Sequence, residues 1–539
     1  MVLSNFFHPT KRGMAVDTCK FRLLACRLIL LLASACVLTT TSAQDAWLWF
    51  DQGRPTPQAV EATEFLASAD TDGLTPADYD AGPLQHAFAE AAYGPVLSAS
   101  AMTELDTALT AAMGRYLQDL HQGRLDPRVV HQYFKTPALP ANFDPIAYLY
   151  EAVVSGRLPE AVQAAAPRIP LYARLREVLA HYRQLSVNPA WNTGLPPIPR
   201  KKLEPGQAYD GLAILTQRLI ALGDLPANTP VPERYDAALV QGVQSFQLRH
   251  GLETDGLMGG ATFTQLQVAP ARRIRQIELT LERLRWTPLL QAPRMIAINI
   301  PEFMLRAYEV KDGQATVELR MRIIVGKALD TRTPVFDEDM RFIEFSPYWN
   351  VPTSIARAEI IPRLRHDPGY FRQQGFEFVT KEGQVISTLS DASLRALQQG
   401  QLRIRQRPGP RNALGDIKFV FPNDRNIYLH HTPTPALFDR YRRDFSHGCI
   451  RVENPISLAK FVLYDDAEWP EERIREAMSR GVSRTISLKR PVPVLITYST
   501  VIVKDDKVYF FPDLYGQDDL LDQALKRRVR MGGSFAPAQ

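Results

Sequence analysis

The stretch FSHGCIRVENP, residues 445–455, places Cys449 two residues after His447. A thiolate attacks carbonyl carbon well, but a free thiol is mostly protonated at neutral pH. A nearby imidazole can accept that proton and later return it to a leaving group. These residue types therefore predict nucleophilic catalysis by Cys449 with a histidine as the general base.

Two further histidines, His430 and His431, lie upstream in NIYLHHT, residues 426–432, which has the pattern of a strand. Successive side chains of a strand point to opposite faces, so His430 and His431 cannot both face the thiol. Alternation alone leaves open which one does. A zinc site is the competing interpretation. Alternation along the strand turns one of the two histidines away from the other ligands, and His-x-Cys is not a usual zinc spacing. We therefore predict no metal and no cofactor.

The neighbours of Cys449 argue against an inert buried thiol, which is the structural alternative. Ser446, His447 and Gly448 are poor core formers, and a glycine lets backbone approach a ligand closely. Asn454 followed by Pro455 predicts the start of a helix. Cys449 is therefore expected on a strand-to-loop edge, where backbone N–H groups can stabilise an oxyanion.

The other three cysteines, Cys19, Cys26 and Cys36, lie in an N-terminal segment typical of a secretory signal. Five basic residues precede or begin the apolar run LILLLASACVL, residues 28–38, and the small residues TTTSA follow. Cleavage after Ala43 leaves Cys449 as the single cysteine. An uncleaved anchor and lipidation of Cys36 are the alternatives. The leader predicts export from the cytoplasm, with membrane association under either alternative.

Net charge gives no support for a nucleic-acid partner. The 539-residue chain carries +5, but the first 43 residues contain five basic residues and one acid and so account for +4. The remainder carries about +1, and the high isoelectric point reflects the leader. A hydrophobic content of 45% is sufficient for several buried cores.

The expected fold is a multidomain α+β chain. Residues 44–205 have helical spacing and predict a helical scaffold domain, and residues 271–292 predict a connecting helix. Near Pro293 the apolar residues begin to recur at every second position, which is typical of strands. KDGQ, residues 311–314, predicts a β-hairpin between two such runs. The β-rich domain covers residues 293–497 with a helical insertion at about 355–401, and residues 498–539 form a C-terminal extension.

Residues 206–270 resemble the small three-helix peptidoglycan-binding module. The resemblance is carried by Phe246–Gln247, Gly251–Leu252, Asp255–Gly256, Gly259, and Thr262 with Leu266. It implies binding to glycan strands. A helical spacer that has kept the fold and lost the ligand is the alternative.

The β-rich domain resembles the L,D-transpeptidase catalytic domain of the YkuD type. The resemblance is carried by YLHHTP at 428–433 and SHGCIR at 446–451, with FSPYWNVPTSIARAEIIP at 345–362 and NALGDIKFVFPN at 412–423. Together with the helical region and the binding module, the chain is similar to the large YcbB-type enzymes of Gram-negative bacteria. In that comparison the insertion at 355–401 corresponds to a capping subdomain over the substrate.

The resemblance implies a role for each residue of the motif. Cys449 would be the nucleophile and His430 the base, with the backbone carbonyl of His431 orienting the imidazole. His431 stands where the family usually has aspartate. The oxyanion site and catalytic loop would be lined by Ser446, His447 and Gly448. Arg451 would steady that loop or a substrate carboxylate. The cleft would be shaped by Tyr348, Trp349 and Asn350.

The implied reaction joins two peptidoglycan stem peptides by a 3→3 cross-link through a cysteine thioester. A hydrolase that uses the same cysteine with water as acceptor, an L,D-carboxypeptidase or endopeptidase, is an open alternative, as is a non-catalytic wall-binding scaffold. Expected partners are stem peptides and glycan strands, with glycan polymerases and D,D-carboxypeptidases as suppliers of substrate.

Overall fold

The computed structural model describes residues 47–135, 143–288, 292–329 and 331–531. The predicted signal and Cys36 lie outside these residues. Within the described ranges no helix combines the length and the apolar character that crossing a bilayer requires.

The N-terminal region is helical, as its periodicity predicts. Polar side chains cap the helix starts: the hydroxyls of Thr56 and Ser98 and the carboxylate of Asp144 accept backbone N–H groups of the first turn. The apolar stripes of the first five helices meet in one core that includes Leu109 and Tyr116. The sixth helix packs in a second core. The helices are Pro57–Ala67, Ala81–Tyr93, Ala99–Gln122, Pro145–Val154, Leu158–Ala165 and Pro170–Ser186, with 3₁₀ turns Ala69–Asp72, Pro76–Tyr79, Pro127–Val129 and Pro189–Trp191 and a short ladder Phe50–Asp51/Arg54–Pro55.

The module that resembles a peptidoglycan-binding domain contains helices Leu212–Ala221, Ala237–Arg249 and Gly260–Leu266, with the short ladder Lys202–Leu203/Met258–Gly259. Its signature residues bond to one another. The buried Gln247 amide donates to Asp255 Oδ1 at 2.8 Å and to Thr262 Oγ1 at 3.1 Å, and it accepts the Gly256 N–H at 2.8 Å. These hydrogen bonds therefore hold the segment between helices Ala237–Arg249 and Gly260–Leu266 in place.

The helix Pro270–Arg285 follows the module. Its Ile277, Leu281 and Leu284 pack in one core with the scaffold helix Pro170–Ser186 and with the C-terminal hairpin Val501–Lys504/Lys507–Phe510. The last helix, Gln517–Met531, contacts the same helix through Leu521 and Leu525. The C-terminal extension is thus packed against the scaffold region.

The centre of the β-rich region is a nine-stranded sheet. The predicted hairpin is confirmed: Met304–Lys311 and Gln314–Gly326 are joined by Asp312–Gly313, and both turn residues have positive φ. Met304–Lys311 is the last strand of the sheet order and Gln314–Gly326 the second, so their pairing closes the sheet on itself. In order, the strands are Asp444–Ser446, Gln314–Gly326, Ile450–Val452, Leu429–His430, Ile417–Val420, Phe336–Phe345, Arg484–Thr497, Arg294–Asn299 and Met304–Lys311.

The core of this region combines inward-facing strand residues with two helices, Pro455–Val462 and Glu471–Ser479. The Asn454 side chain accepts the Ser457 N–H at 3.1 Å and Pro455 occupies the first turn, as the sequence predicts. A 3₁₀ turn, Pro435–Asp439, lies between the two chemistry-bearing segments. The observed fold confirms the mixed α+β class.

The insertion differs from the helical segment that we predicted, because it contains a sheet of its own. Its strands are Trp349–Asn350, Phe376–Val379, Val385–Ile386 and Arg403–Gln406, and its helices are Thr353–Ile355, Ile361–His366, Gly369–Gln373 and Asp391–Gln398, with a π-helical turn at Ala356–Ile360. A separate apolar cluster around Phe371, Phe376 and Phe378 forms its core. The strands are short and lie between charged helices, so periodicity does not reveal them.

Candidate active site

The strands Leu429–His430 and Ile450–Val452 run parallel and bring the two predicted catalytic segments together. Leu429 pairs with Ile450 and His430 with Arg451. Leu429 and Ile450 are fully buried in the core. By alternation, His430, Arg451 and Cys449, which precedes Ile450, belong to the opposite face. The fold therefore places the predicted nucleophile and base on one side of the sheet.

His430 is held in one tautomer. Its Nδ1 lies 2.5 Å from the backbone carbonyl oxygen of His431, and because a carbonyl can only accept, Nδ1 carries the proton. Nε2 therefore has a free lone pair. Burial, reinforced by the Arg451 guanidinium, lowers the pKa of His430 to about 3. The imidazole is neutral near pH 7 and can accept a proton.

His431 points to the other side of the strand. Its Nδ1 is 3.4 Å from the Asp416 carboxylate, and its ring packs on Gly415, where a Cβ would come within 2.8 Å of the imidazole. The question that alternation leaves open is answered by this geometry. His430 shares the face of Cys449, while His431 contributes its carbonyl.

The thiol of Cys449 is free and only partly accessible. Its Sγ donates to the backbone carbonyl of Asn426 at 3.4 Å. Burial raises the pKa of Cys449, and this rise is opposed by Tyr428 and by the charges of Lys418 and Arg451. The resting site therefore holds a neutral thiol and a neutral imidazole on one face of the sheet, and proton transfer has to accompany attack.

Two residues at this site were missed by sequence reasoning. The Tyr428 phenol interacts with the Cys449 thiol, and its ring centroid is 5.8 Å from that of His430. The Lys418 ammonium lies 4.4 Å from the centre of the Tyr428 ring and 3.3 Å from Glu344. The position of Tyr428 two residues before His430 is a signal that the sequence carries. Lys418 is the ladder partner of His430, a contact that only the sheet order reveals.

The loop that carries Cys449 is fixed by the buried hydroxyl of Ser446. This hydroxyl donates to the Cys449 carbonyl at 2.6 Å and accepts the Gly448 N–H at 3.2 Å. Gly448 has φ of +111°, a conformation that other residues rarely adopt. The Gly448 amide, which belongs to the predicted oxyanion site, thus has a partner within the loop.

His447 connects this loop to the insertion. Its Nε2 is 2.6 Å from Oε1 of Glu359, which lies on the π-helical turn Ala356–Ile360. The two side chains are 32% and 51% exposed, so the contact is open to solvent. The imidazole therefore lies at the boundary between catalytic loop and insertion and does not share the buried surroundings of His430.

The predicted substrate-contacting residues occupy two places. Arg451 lies beside Cys449, and its buried Nε has no hydrogen-bond partner among the residues that the structure describes. Tyr348 has the Arg405 guanidinium 4.1 Å from its ring, and Trp349–Asn350 pairs with Arg403–Gln406. Tyr348, Trp349 and Asn350 therefore form the entry into the insertion.

Comparison with known families agrees with this geometry. Residues 293–494 match the YkuD family model, described as the L,D-transpeptidase catalytic domain. Residues 41–179 match a model described as a scaffold domain, and residues 209–266 match the putative peptidoglycan binding domain.

A similar curated protein is a putative L,D-transpeptidase of Haemophilus influenzae, 30% identical over 250 residues, which are 46% of this chain and 49% of that protein. The chain thus spans about half the length of this relative. Among solved structures, an L,D-transpeptidase fragment from Xylanimonas cellulosilytica is 16% identical (TM-score 0.18) and covers 56% of this chain and 100% of that one. A fused Zn-dependent amidase/peptidase/peptidoglycan-binding protein from Clostridium acetobutylicum is 12% identical (TM-score 0.17) and covers 55% and 99%.

The fold defines an α+β domain in which Cys449 and His430 lie on one face of the sheet. The matched segments identify the parts: this chain contains a YkuD-type L,D-transpeptidase catalytic domain and a peptidoglycan-binding domain.

Proposed function

We propose that the protein forms 3→3 cross-links between peptidoglycan stem peptides through a thioester on Cys449. The observation that carries the proposal is the arrangement of His430, whose Nδ1 proton is committed to the His431 carbonyl, on the sheet face of Cys449. An L,D-transpeptidase domain with this arrangement has a nucleophile and a base of the required types.

In the first step the Sγ proton passes to Nε2 of His430 as Sγ attacks the carbonyl of the third residue, a diamino acid, of a tetrapeptide stem. The tetrahedral oxyanion forms near the backbone amides of the catalytic loop. When the carbon–nitrogen bond breaks, the imidazolium returns its proton to the leaving amine. D-Alanine departs and a thioester remains on Cys449.

In the second step the side-chain amine of another stem attacks the thioester, its proton passes to His430, and the thiol is regenerated. The bond energy of the first amide is retained in the thioester, so no nucleotide is consumed. Among the described residues the Nε of Arg451, beside the thiol, has no hydrogen-bond partner, which supports a role in holding a substrate carboxylate.

Amine attack competes with water, which is far more abundant. A cover that excludes water from the thioester favours the amine. The insertion is the proposed cover, supported by the contact between Glu359 and His447 in the catalytic loop.

We place the reaction in the periplasm after export by the N-terminal leader. The binding module would hold the enzyme on glycan strands. D,D-carboxypeptidases would supply tetrapeptide stems, and glycan polymerases would supply new strands.

The test is product analysis by mass spectrometry after incubation of the protein with disaccharide-tetrapeptide, with Cys449→Ala as control. A cross-linked dimer that lacks one D-alanine, and is absent from the control, is the expected product. Shortened monomer alone would indicate the hydrolase. No product from the wild type, with binding to peptidoglycan retained, would indicate the scaffold.

A further inference from the structure

Thr333 lies beneath the catalytic loop, almost completely buried at 1% exposure. Its hydroxyl donates to the Gly448 carbonyl at 2.7 Å and accepts the Gly326 N–H at 2.9 Å. Because the Gly326 amide can only donate, the hydroxyl proton is directed at Gly448.

This hydrogen bond determines the direction of the next amide. The Gly448 carbonyl and the Cys449 N–H belong to one planar trans peptide unit, so they point in opposite directions. Fixing the carbonyl toward Thr333 turns the Cys449 N–H away from the core. Glycine at 448 leaves the backbone otherwise free to rotate, so the orientation depends on such external contacts.

The flanking peptide units are held separately. Ser446 Oγ binds the Gly448 N–H and the Cys449 carbonyl, which are the groups on either side of the unit that Thr333 holds. Thr333 therefore holds the Gly448–Cys449 peptide unit, and Ser446 holds the groups on either side of it.

Thr333 is itself supported from the C-terminal extension. The Tyr515 hydroxyl donates to the Gly326 carbonyl at 2.6 Å and accepts the Thr333 N–H at 3.4 Å. The Arg332 guanidinium donates to the Tyr515 carbonyl at 2.8 Å. The segment that carries Thr333 is therefore tied on both sides.

We propose that Thr333 is a positioning residue that aims the Cys449 N–H at the oxyanion formed during acylation. The inference rests on the proposed function, because it assigns a role to the amide of the proposed nucleophile. Thr333 does not touch the reacting atoms; it acts through the Gly448–Cys449 peptide unit.

The experiment compares two electrophiles on Thr333→Val. A carbapenem acylates a cysteine through a tetrahedral oxyanion: Sγ bonds to the lactam carbonyl carbon, and the ring nitrogen leaves with the thiol proton. Iodoacetamide alkylates the same Sγ by displacing iodide and forms no oxyanion. We expect acylation to slow about 10–100-fold, below the roughly 100–1,000-fold loss on removing an oxyanion donor, because the amide is misdirected and not lost; alkylation should stay within about twofold.

Thr333→Ser, which keeps the hydroxyl, should restore acylation. Thr331→Val is the matched control: Thr331 Oγ1 donates to the Ser446 carbonyl at 3.0 Å, but that carbonyl also accepts the Lys327 N–H at 3.0 Å and stays held. Both rates should remain near wild type in this control. If Thr333→Val does not fold, Thr333→Ala is measured in the same way against Thr333→Ser.

Equal acylation in Thr333→Val and wild type would overturn the inference, and so would an equal loss with both electrophiles, which would mean general disruption of the loop. A wild type that is alkylated but never acylated would instead refute the proposed function, and the inference would fall with it.

Discussion

The neutral state of the Cys449–His430 pair predicts how thiol reactivity changes with pH. Burial raises the pKa of Cys449 above its ordinary value of 9.0 and lowers that of His430 to about 3. A thiol with an ordinary pKa near 9 is about 1% thiolate at pH 7, so this thiol is below that fraction. Alkylation by iodoacetamide should therefore rise with pH to at least about pH 9, and its rate at pH 7 should be below about 1% of its limit.

The assay is the rate of iodoacetamide labelling followed by intact-protein mass spectrometry from about pH 5 to 10. His430→Gln is the matched control. A neutral imidazole contributes no charge, so this variant should leave the labelling curve nearly unchanged while acylation slows. A plateau already reached below about pH 7, displaced to high pH in His430→Gln, would mean a preformed thiolate–imidazolium pair and would refute the reasoning.

Three further predictions follow from single contacts of the site. Tyr428→Phe removes an interaction that lowers the thiol pKa, so the labelling curve should move to higher pH. Ser446→Ala leaves two loop groups unpaired, at about 1–3 kcal/mol each, so carbapenem acylation should slow at least about 10-fold. Replacing the insertion between the ladder partners Asn350 and Arg405 by a short turn should raise hydrolysis relative to cross-linking.

Each of these has its own contrary result. An unmoved labelling curve in Tyr428→Phe would mean that the phenol does not lower the pKa of the Cys449 thiol. Wild-type acylation in Ser446→Ala would mean that the loop holds its shape without the hydroxyl. An unchanged ratio of monomer to dimer after removal of the insertion would end its assignment as a water-excluding cover.

The sequence was sufficient to predict those elements of the fold that are specified by a short local pattern. The Asp312–Gly313 hairpin, the Asn454 cap and the helical N-terminal region each follow from a short pattern, and each is confirmed by the structure. The sheet of the insertion was missed, because its strands are two to four residues long and pair across helices.

The active site was predictable only in part, for a related reason. Three histidines were candidates for the base, and the family resemblance implied His430. Its place on the face of Cys449 depends on its pairing with the strand after Cys449, which is a contact across the fold. Lys418, Thr333 and Glu359 reach the site from segments 31, 116 and 90 residues away from Cys449. No local pattern identifies residues that come together only through sheet order.

The most direct test of the central claim is intact-protein mass spectrometry of the enzyme during turnover of a tetrapeptide donor. We expect an adduct of the donor minus D-alanine, located by peptide mapping at Cys449, absent from Cys449→Ala and slow to form in His430→Gln. An adduct elsewhere, or cross-linked product that Cys449→Ala still forms, would contradict a thioester mechanism at this residue.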